Sequence, residues 1–202
     1  MRQSTGGVRE ARGRERREAF LTVAATVFRA KGLKVATMAD VAAAVGVAKP
    51  VLYRRFPSKD ALIAALTQQV YQAVQTAFDE TPPDSGRVLE SVLAAIRSVE
   101  DGYVALVRDG EVYLPDAPAT TMQLKTSTAR AVRRSLGLVG TPSADDPLPL
   151  RLAVETLTDF IHAAFVWWIQ HGESDQDSRF LAWLNGLIDA WPATTAAAFR
   201  PD

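Results

Sequence analysis

Residues 37–60 constrain the fold more than any other part of the chain. Met38, Val41, Ala42 and Val45 form a short apolar stripe at helical spacing, and Gly46 stops it. A second short helix follows at once, over about residues 49–55. It carries Lys49, Tyr53, Arg54 and Arg55 on one side and Leu52 and Phe56 on the other. Two short helices joined by a tight glycine-containing turn have the plan of a helix-turn-helix. Leu52, Phe56 and Val47 read as core, while the cationic side remains available to a partner.

The order Thr37, Val41-Ala42, Gly46-Val47-Ala48, Leu52-Tyr53-Arg54-Arg55-Phe56-Pro57-Ser58-Lys59-Asp60-Ala61-Leu62 resembles the DNA-binding segment of the TetR family of bacterial transcriptional regulators. The resemblance covers about the first third of the chain. It implies that the second short helix enters the major groove of double-stranded DNA. Lys49 and Arg54 are the best candidates for base contacts, since both types donate to base edges. Tyr53 stands where the family has a phosphate-touching tyrosine. Arg55 replaces the usual His or Tyr and can donate to a phosphate. Lys59 and Thr37, each at a helix start, are further phosphate candidates. Two positions depart from the pattern. Ala48 occupies the usual Ser/Thr cap position, so a helix cap and one phosphate contact are missing. Pro50 replaces a common Gly; its place in the first turn costs little, and its ring can only make apolar contact with a base.

Charge supports this division of labour. The chain has a formal net charge of zero, yet residues 1–60 hold thirteen Lys/Arg against five Asp/Glu, and the remainder is correspondingly acidic. A basic part beside an acidic part points to a polyanion met by the first part alone. We therefore expect a DNA-binding domain over 1–60 and a ligand-binding and dimerisation domain over 61–202.

The fold class expected is all-α, with about nine helices: three in the head and the rest in a larger body. Residues 1–9, with Gly6-Gly7, read as disordered, and the first helix spans about 12–31 with Phe20, Ala24, Val27 and Phe28 inward. A fourth helix, capped by Ser58, runs to about Glu80. Further helices are expected over 86–108, 119–136, 150–170 and 176–191. The segment 150–170 is apolar over more than one face, and Phe180, Trp183, Leu184, Leu187, Ile188 and Trp191 make a continuous stripe. Surplus apolar surface of this kind is buried against a second copy, and TetR-like proteins dimerise through their last two long helices.

Tyr103, Met122, Phe160, Ala164 and Trp167 are the candidate lining of an apolar effector pocket, an expectation drawn mainly from the resemblance; each alone is as easily core. Glu100, Asp101, Arg130 and Arg134 read as surface charges. Catalysis has little support. His162 and His171 are the only histidines, cysteine is absent, and no catalytic or nucleotide-binding fingerprint occurs. No cofactor or metal is implied. No apolar run is expected to reach bilayer length, and the Arg-rich start lacks the pattern of a secretory signal, so a cytoplasmic protein without membrane contact is expected. The expected function is a homodimeric regulator, more simply a repressor, released from a palindromic operator by a small apolar effector. The rival is a DNA-binding protein gated by a protein partner, or architectural, with no small effector.

Overall fold

The computed structural model describes the backbone of residues 4–82, 86–113, 117–135 and 143–198, and side chains within 12–82, 86–108, 125–134 and 143–191. Among the described residues there are nine α-helices and no strand: α1 (Ser4–Lys31), α2 (Met38–Val45), α3 (Lys49–Arg55), α4 (Lys59–Glu80), α5 (Val88–Ser98), α6 (Glu100–Tyr113), α7 (Ala117–Ser135), α8 (Leu148–His171) and α9 (Asp177–Ala198). A 3₁₀ turn, Ser174–Gln176, precedes α9. The chain forms two compact units. One comprises residues up to Val70 together with Val99–Ala117, and the other Tyr71–Ser98 together with residues from Pro118 onward.

In the first unit, local chemistry sets the helix ends. Thr37 and Asp40 form a capping box: the Thr37 hydroxyl accepts from the Asp40 N–H (3.2 Å), and the Asp40 carboxylate accepts from the Thr37 N–H (2.9 Å). Gly46 ends α2 at φ +76°, where a side chain would be strained, and its N–H and that of Val47 satisfy the last carbonyls. Leu52 and Phe56, 0% and 1% exposed, seat α3 in a core with Phe28, Leu33, Val41 and Leu62. α6 is tied to α1 at its other end. Arg29 pairs with Glu100 and Asp101, both at 2.8 Å; Thr26 donates to Asp101 (2.6 Å); and Arg108 donates to the carbonyls of Phe28 and Arg29, in the last turn of α1.

Three expectations need correction here. The helix expected over 86–108 is two helices, divided at Val99, and they belong to different units. Glu100 and Asp101 suit the positive end of a new helix, which an unbroken one would deny them. They are also not free surface charges, because Arg29 holds both. Lastly, α1 begins at Ser4, not near residue 12. The Arg, Glu and Ala residues after Gly7 are good helix formers, and they carry the helix back through the stretch expected to be disordered.

The second unit is organised on α8. Its buried side, Ala153, Val154, Leu157, Ile161, Phe165 and Ile169, recurs at three- and four-residue intervals. By length and composition alone α8 is sufficient to cross a membrane, contrary to the expectation that no run would be. A core helix meets the same criterion, and α8 carries Arg151, Glu155 and Asp159 at four-residue spacing, with Asp159 paired to Lys125 at 2.7 Å. Such a charged row suits a packed body and not lipid. α9 also runs on through Pro192, beyond the expected end near 191; the Ala-rich stretch that follows favours helix despite one lost ladder bond.

A part-buried cluster joins α5, α8 and α9. Asp177 accepts from Arg97 (Nε 3.1 Å, Nη2 2.9 Å) and from the Trp168 indole N–H (2.6 Å). The Trp168 ring stacks on Phe180 at 4.6 Å, and a Cβ on Gly172 would clash with that indole. Burial pushes the Asp177 carboxyl up, but the hydrogen bonds from Arg97 and Trp168 and the attraction of the guanidinium outweigh it and hold it below its ordinary value. A carboxyl lowered by folding stabilises the fold above its unfolded value, about pH 3.9, and loses this contribution as the pH falls toward the folded value. Asp177→Asn is therefore expected to cost about 1.5–3 kcal/mol in urea unfolding at pH 7, with the gap to the parent narrowing as the pH falls below the unfolded value. A gap independent of pH would show that the charge plays no part.

Candidate nucleic-acid interface

The exposed side of α3 is cationic because its buried side is fully used. Leu52 and Phe56 point into the core, and Lys49, Pro50, Tyr53, Arg54 and Arg55 stand exposed, with Tyr53 46% exposed. Ala48 has the extended backbone of an N-cap (φ −67°, ψ 142°) but no side-chain cap bond, and Pro50 sits in the first turn. Restoring the cap is a clean test. Ala48→Ser should raise stability by about 0.5–2 kcal/mol in chemical denaturation, with the backbone already in cap geometry. No gain would mean that the Val51 N–H, which already donates to the Ala48 carbonyl (2.9 Å), needs no further acceptor.

The other candidates are anchored from the protein side. The Thr37 hydroxyl donates to Asp40 (2.8 Å), so in this state its proton is committed within the capping box. Lys31, at 2.6 Å, and Thr37 hold the Asp40 carboxyl well below the usual carboxylate range. Lys59 opens α4, and its ammonium donates to the Lys34 carbonyl (3.1 Å). Arg55 reaches the Gly13 carbonyl (3.5 Å), and the Arg17 guanidinium lies 5.0 Å from the centre of the Phe56 ring. The sequence reading missed Arg17 and Asp40. Arg17 steadies the C-cap residue of α3 by cation–π contact, and Asp40 orients Thr37. Asp40 was recoverable from the Thr-x-x-Asp spacing. Arg17 carries no comparable signal.

Thr37, Lys49, Tyr53, Arg54, Arg55 and Lys59 thus lie along α3 and the starts of the helices on either side of it. Residues 20–66 match the family model described as bacterial regulatory proteins, tetR family. Residues 20–66 are a TetR-family DNA-binding domain. Among curated proteins it is 28% identical over 172 residues to the HTH-type transcriptional activator FasR of Mycolicibacterium smegmatis, covering 81% of this chain and 77% of that one. Among solved structures it resembles a tetR-family transcriptional regulator from Streptomyces coelicolor (TM-score 0.68, 21% identity, 92% of this chain and 83% of that one). It also resembles the TetR-family regulator PfmR from Thermus thermophilus (TM-score 0.61, 18% identity, 85% and 96%). AibR, solved with isovaleryl coenzyme A and operator DNA, is a further likeness (TM-score 0.59, 16% identity, 86% and 96%). At these identities the structural likenesses establish the all-α fold. The family match makes the protein a DNA-binding transcription regulator and not an enzyme.

Three residues of the expected effector lining share one groove within the second unit. Phe160, Ala164 and Trp167 line an open groove of about 530 Å³ between α8 and α9, with Trp168, Phe180 and Trp183. Tyr103 is not part of it: it is 5% exposed and belongs to the first unit, where burial pushes its phenol up. Met122 lies outside the residues whose side chains are described. The register of α8 sets which of its aromatic residues line the groove. Ile161, Phe165 and Ile169 face inward, which turns Trp167 outward to 58% exposure. His162 is half-buried, and burial, with the nearby Lys125 cation, lowers its pKa against the opposing pull of Asp159. Among the described residues no group of three or more His, Asp or Glu is placed to hold a metal ion.

Proposed function

We propose that the protein is a homodimeric, ligand-responsive regulator acting in the cytoplasm, with residues 1–60 as its DNA-binding domain and 61–202 as its ligand-binding and dimerisation domain. Two copies of α3 enter successive major grooves of a roughly palindromic operator, about 34–36 Å apart or a multiple of that. Lys49 and Arg54 read bases, and Tyr53, Arg55 and Lys59 hold phosphates. The observation that carries the reading is α3 itself, a helix locked by Leu52 and Phe56 whose remaining side is exposed and cationic.

Phe160, Ala164 and Trp167 take a different role from the one expected. We assign their groove to the subunit interface, because Leu148, Leu152, Trp167, Trp183 and Leu187 expose large apolar area on the same two helices. The effector is a small molecule of mainly apolar character, and the AibR complex with isovaleryl coenzyme A supports an acyl group as its apolar part. It favours a dimer state whose two recognition helices no longer match the operator spacing, and it releases DNA to the extent that it binds that state better.

Release from DNA makes the protein a repressor. A second reading, activation, is favoured by the FasR relative, which is described as an activator. Selection of bound sequences from random duplex DNA tests the core of the proposal. Enrichment of an inverted repeat is the expected result, and failure to enrich any sequence would refute it. Placing the selected site upstream of a reporter separates the two signs.

A further inference from the structure

The helix-turn-helix does not account for the whole basic surface of the first unit. α1 carries Arg12, Arg14, Arg16 and Arg17 within a short stretch, all exposed. Arg17 has a structural task, since it lies over Phe56, the C-cap residue of α3. Arg55, in the last turn of α3, reaches back to the Gly13 carbonyl of the same stretch of α1. These two contacts fix where the stretch sits, alongside the carboxyl end of the recognition helix. Arg12, Arg14 and Arg16 form no ion pair with a carboxylate among the described residues.

Cations on both flanks of a rigid helix, without an ion pair among the described residues and next to a groove-reading helix, suit a polyanion that continues past the groove. We infer that the amino-terminal turns of α1 are a second DNA contact, in which Arg12, Arg14 and Arg16 bind backbone phosphates of the duplex flanking each major-groove half-site. The inference rests on α3 being the recognition helix and extends its footprint. The helix backbone supplies the register: Arg12 and Arg16 lie four residues apart on one row, Arg14 lies about 160° around the helix from Arg16, and the two flank the side on which Gly13 and Arg17 meet α3. Guanidinium groups bind phosphate oxygens in bidentate fashion without reading sequence. The contact therefore adds affinity and salt dependence, and no base preference.

The test uses the full-length protein and the duplex it enriches from a random library, prepared with long flanks and with flanks trimmed to the half-sites. Affinity is measured against salt for the parent and for a variant with Arg12→Gln, Arg14→Gln and Arg16→Gln. Arg17 is left in place because it packs on Phe56. On the long duplex the variant should lose about 0.9 in the slope of log K against log salt for each phosphate contact removed, so a fall of roughly two to three. Its affinity near physiological salt should drop tenfold or more, with the enriched sequence unchanged. On the trimmed duplex parent and variant should agree. Lysine at the same three positions should restore the slope, which a merely structural role would not explain.

Equal slopes on the long duplex would overturn the inference while leaving the α3 reading intact. A changed base preference in the flanks would overturn the phosphate assignment in favour of groove contact. A changed preference on Lys49→Ala in the same assay shows that the α3 reading holds independently. A parent that enriches no sequence would remove both.

Discussion

Replacing Lys49 and Arg54 together by alanine is expected to lower affinity for the selected site by roughly thirty-fold to twenty-thousand-fold. Each side chain is placed to donate to a base edge, and a lost contact of this kind costs about 1–3 kcal/mol. The two are five residues apart on α3, so they do not touch one another, and their effects should add. Both are exposed, and neither supports the core formed by Leu52 and Phe56. Unfolding free energy should therefore stay within about 0.5 kcal/mol of the parent. The selected sequence should become less distinct at the positions each residue reads. If affinity falls but the enriched sequence is unchanged, both residues contact phosphate only, and base reading must be sought from Pro50 or Tyr53.

The contrast with the stretch on α1 separates two kinds of cation on one surface. Lys49 and Arg54 should change which sequence is bound. Arg12, Arg14 and Arg16 should change how strongly any sequence with flanks is bound, and how steeply salt weakens it. A basic excess in the composition of residues 1–60 does not make this distinction. Position on a helix relative to α3 does.

The parts of the fold that rest on neighbouring residues were legible from sequence. Thr37 and Gly46 bracket α2 because a cap and a left-handed stop are local chemistry, and both ends fall where the residues predict. α3 is equally local, with Leu52 and Phe56 inward and Ala48 lacking its cap bond. The division of the helix at Val99 was not legible. It depends on Arg29, seventy-odd residues away, gathering Glu100 and Asp101 to the start of α6. No periodicity within 86–108 reports that partner. The role of α8 was ambiguous for a different reason. Phe160, Phe165, Trp167 and Trp168 are all apolar and aromatic, so pattern alone cannot say which side faces the core. The structure turns Phe165 inward to 3% exposure and leaves Trp167 at 58%, on the groove between α8 and α9. Trp168 is settled by Asp177 and Phe180 and by the missing Cβ of Gly172, partners that come together only when α8 and α9 pack.

Leu187→Glu should split the proposed homodimer and remove most of the operator affinity with it. Of the large apolar residues left exposed among the described residues, Leu148, Leu152, Trp167, Trp183 and Leu187 all lie on α8 and α9. Large apolar side chains left exposed together on two helices mark an association surface. Leu187 is 38% exposed in the single chain, so a glutamate there can stay hydrated and the chain can fold. In the dimer the same carboxylate would be taken out of water without a partner, which is costly enough to oppose association. Sedimentation should then report the 21.9 kDa chain where the parent runs at twice that mass. Loss of the second half-site removes the gain from simultaneous engagement, so affinity for the inverted repeat should fall by about 10²–10⁴ while affinity for one half-site is retained. If the variant remains a dimer, Leu187 lies outside the interface and the face must be remapped from Trp167 and Trp183. If the parent itself sediments as a monomer at micromolar concentration, the two-half-site mechanism fails, because one copy of α3 cannot read an inverted repeat.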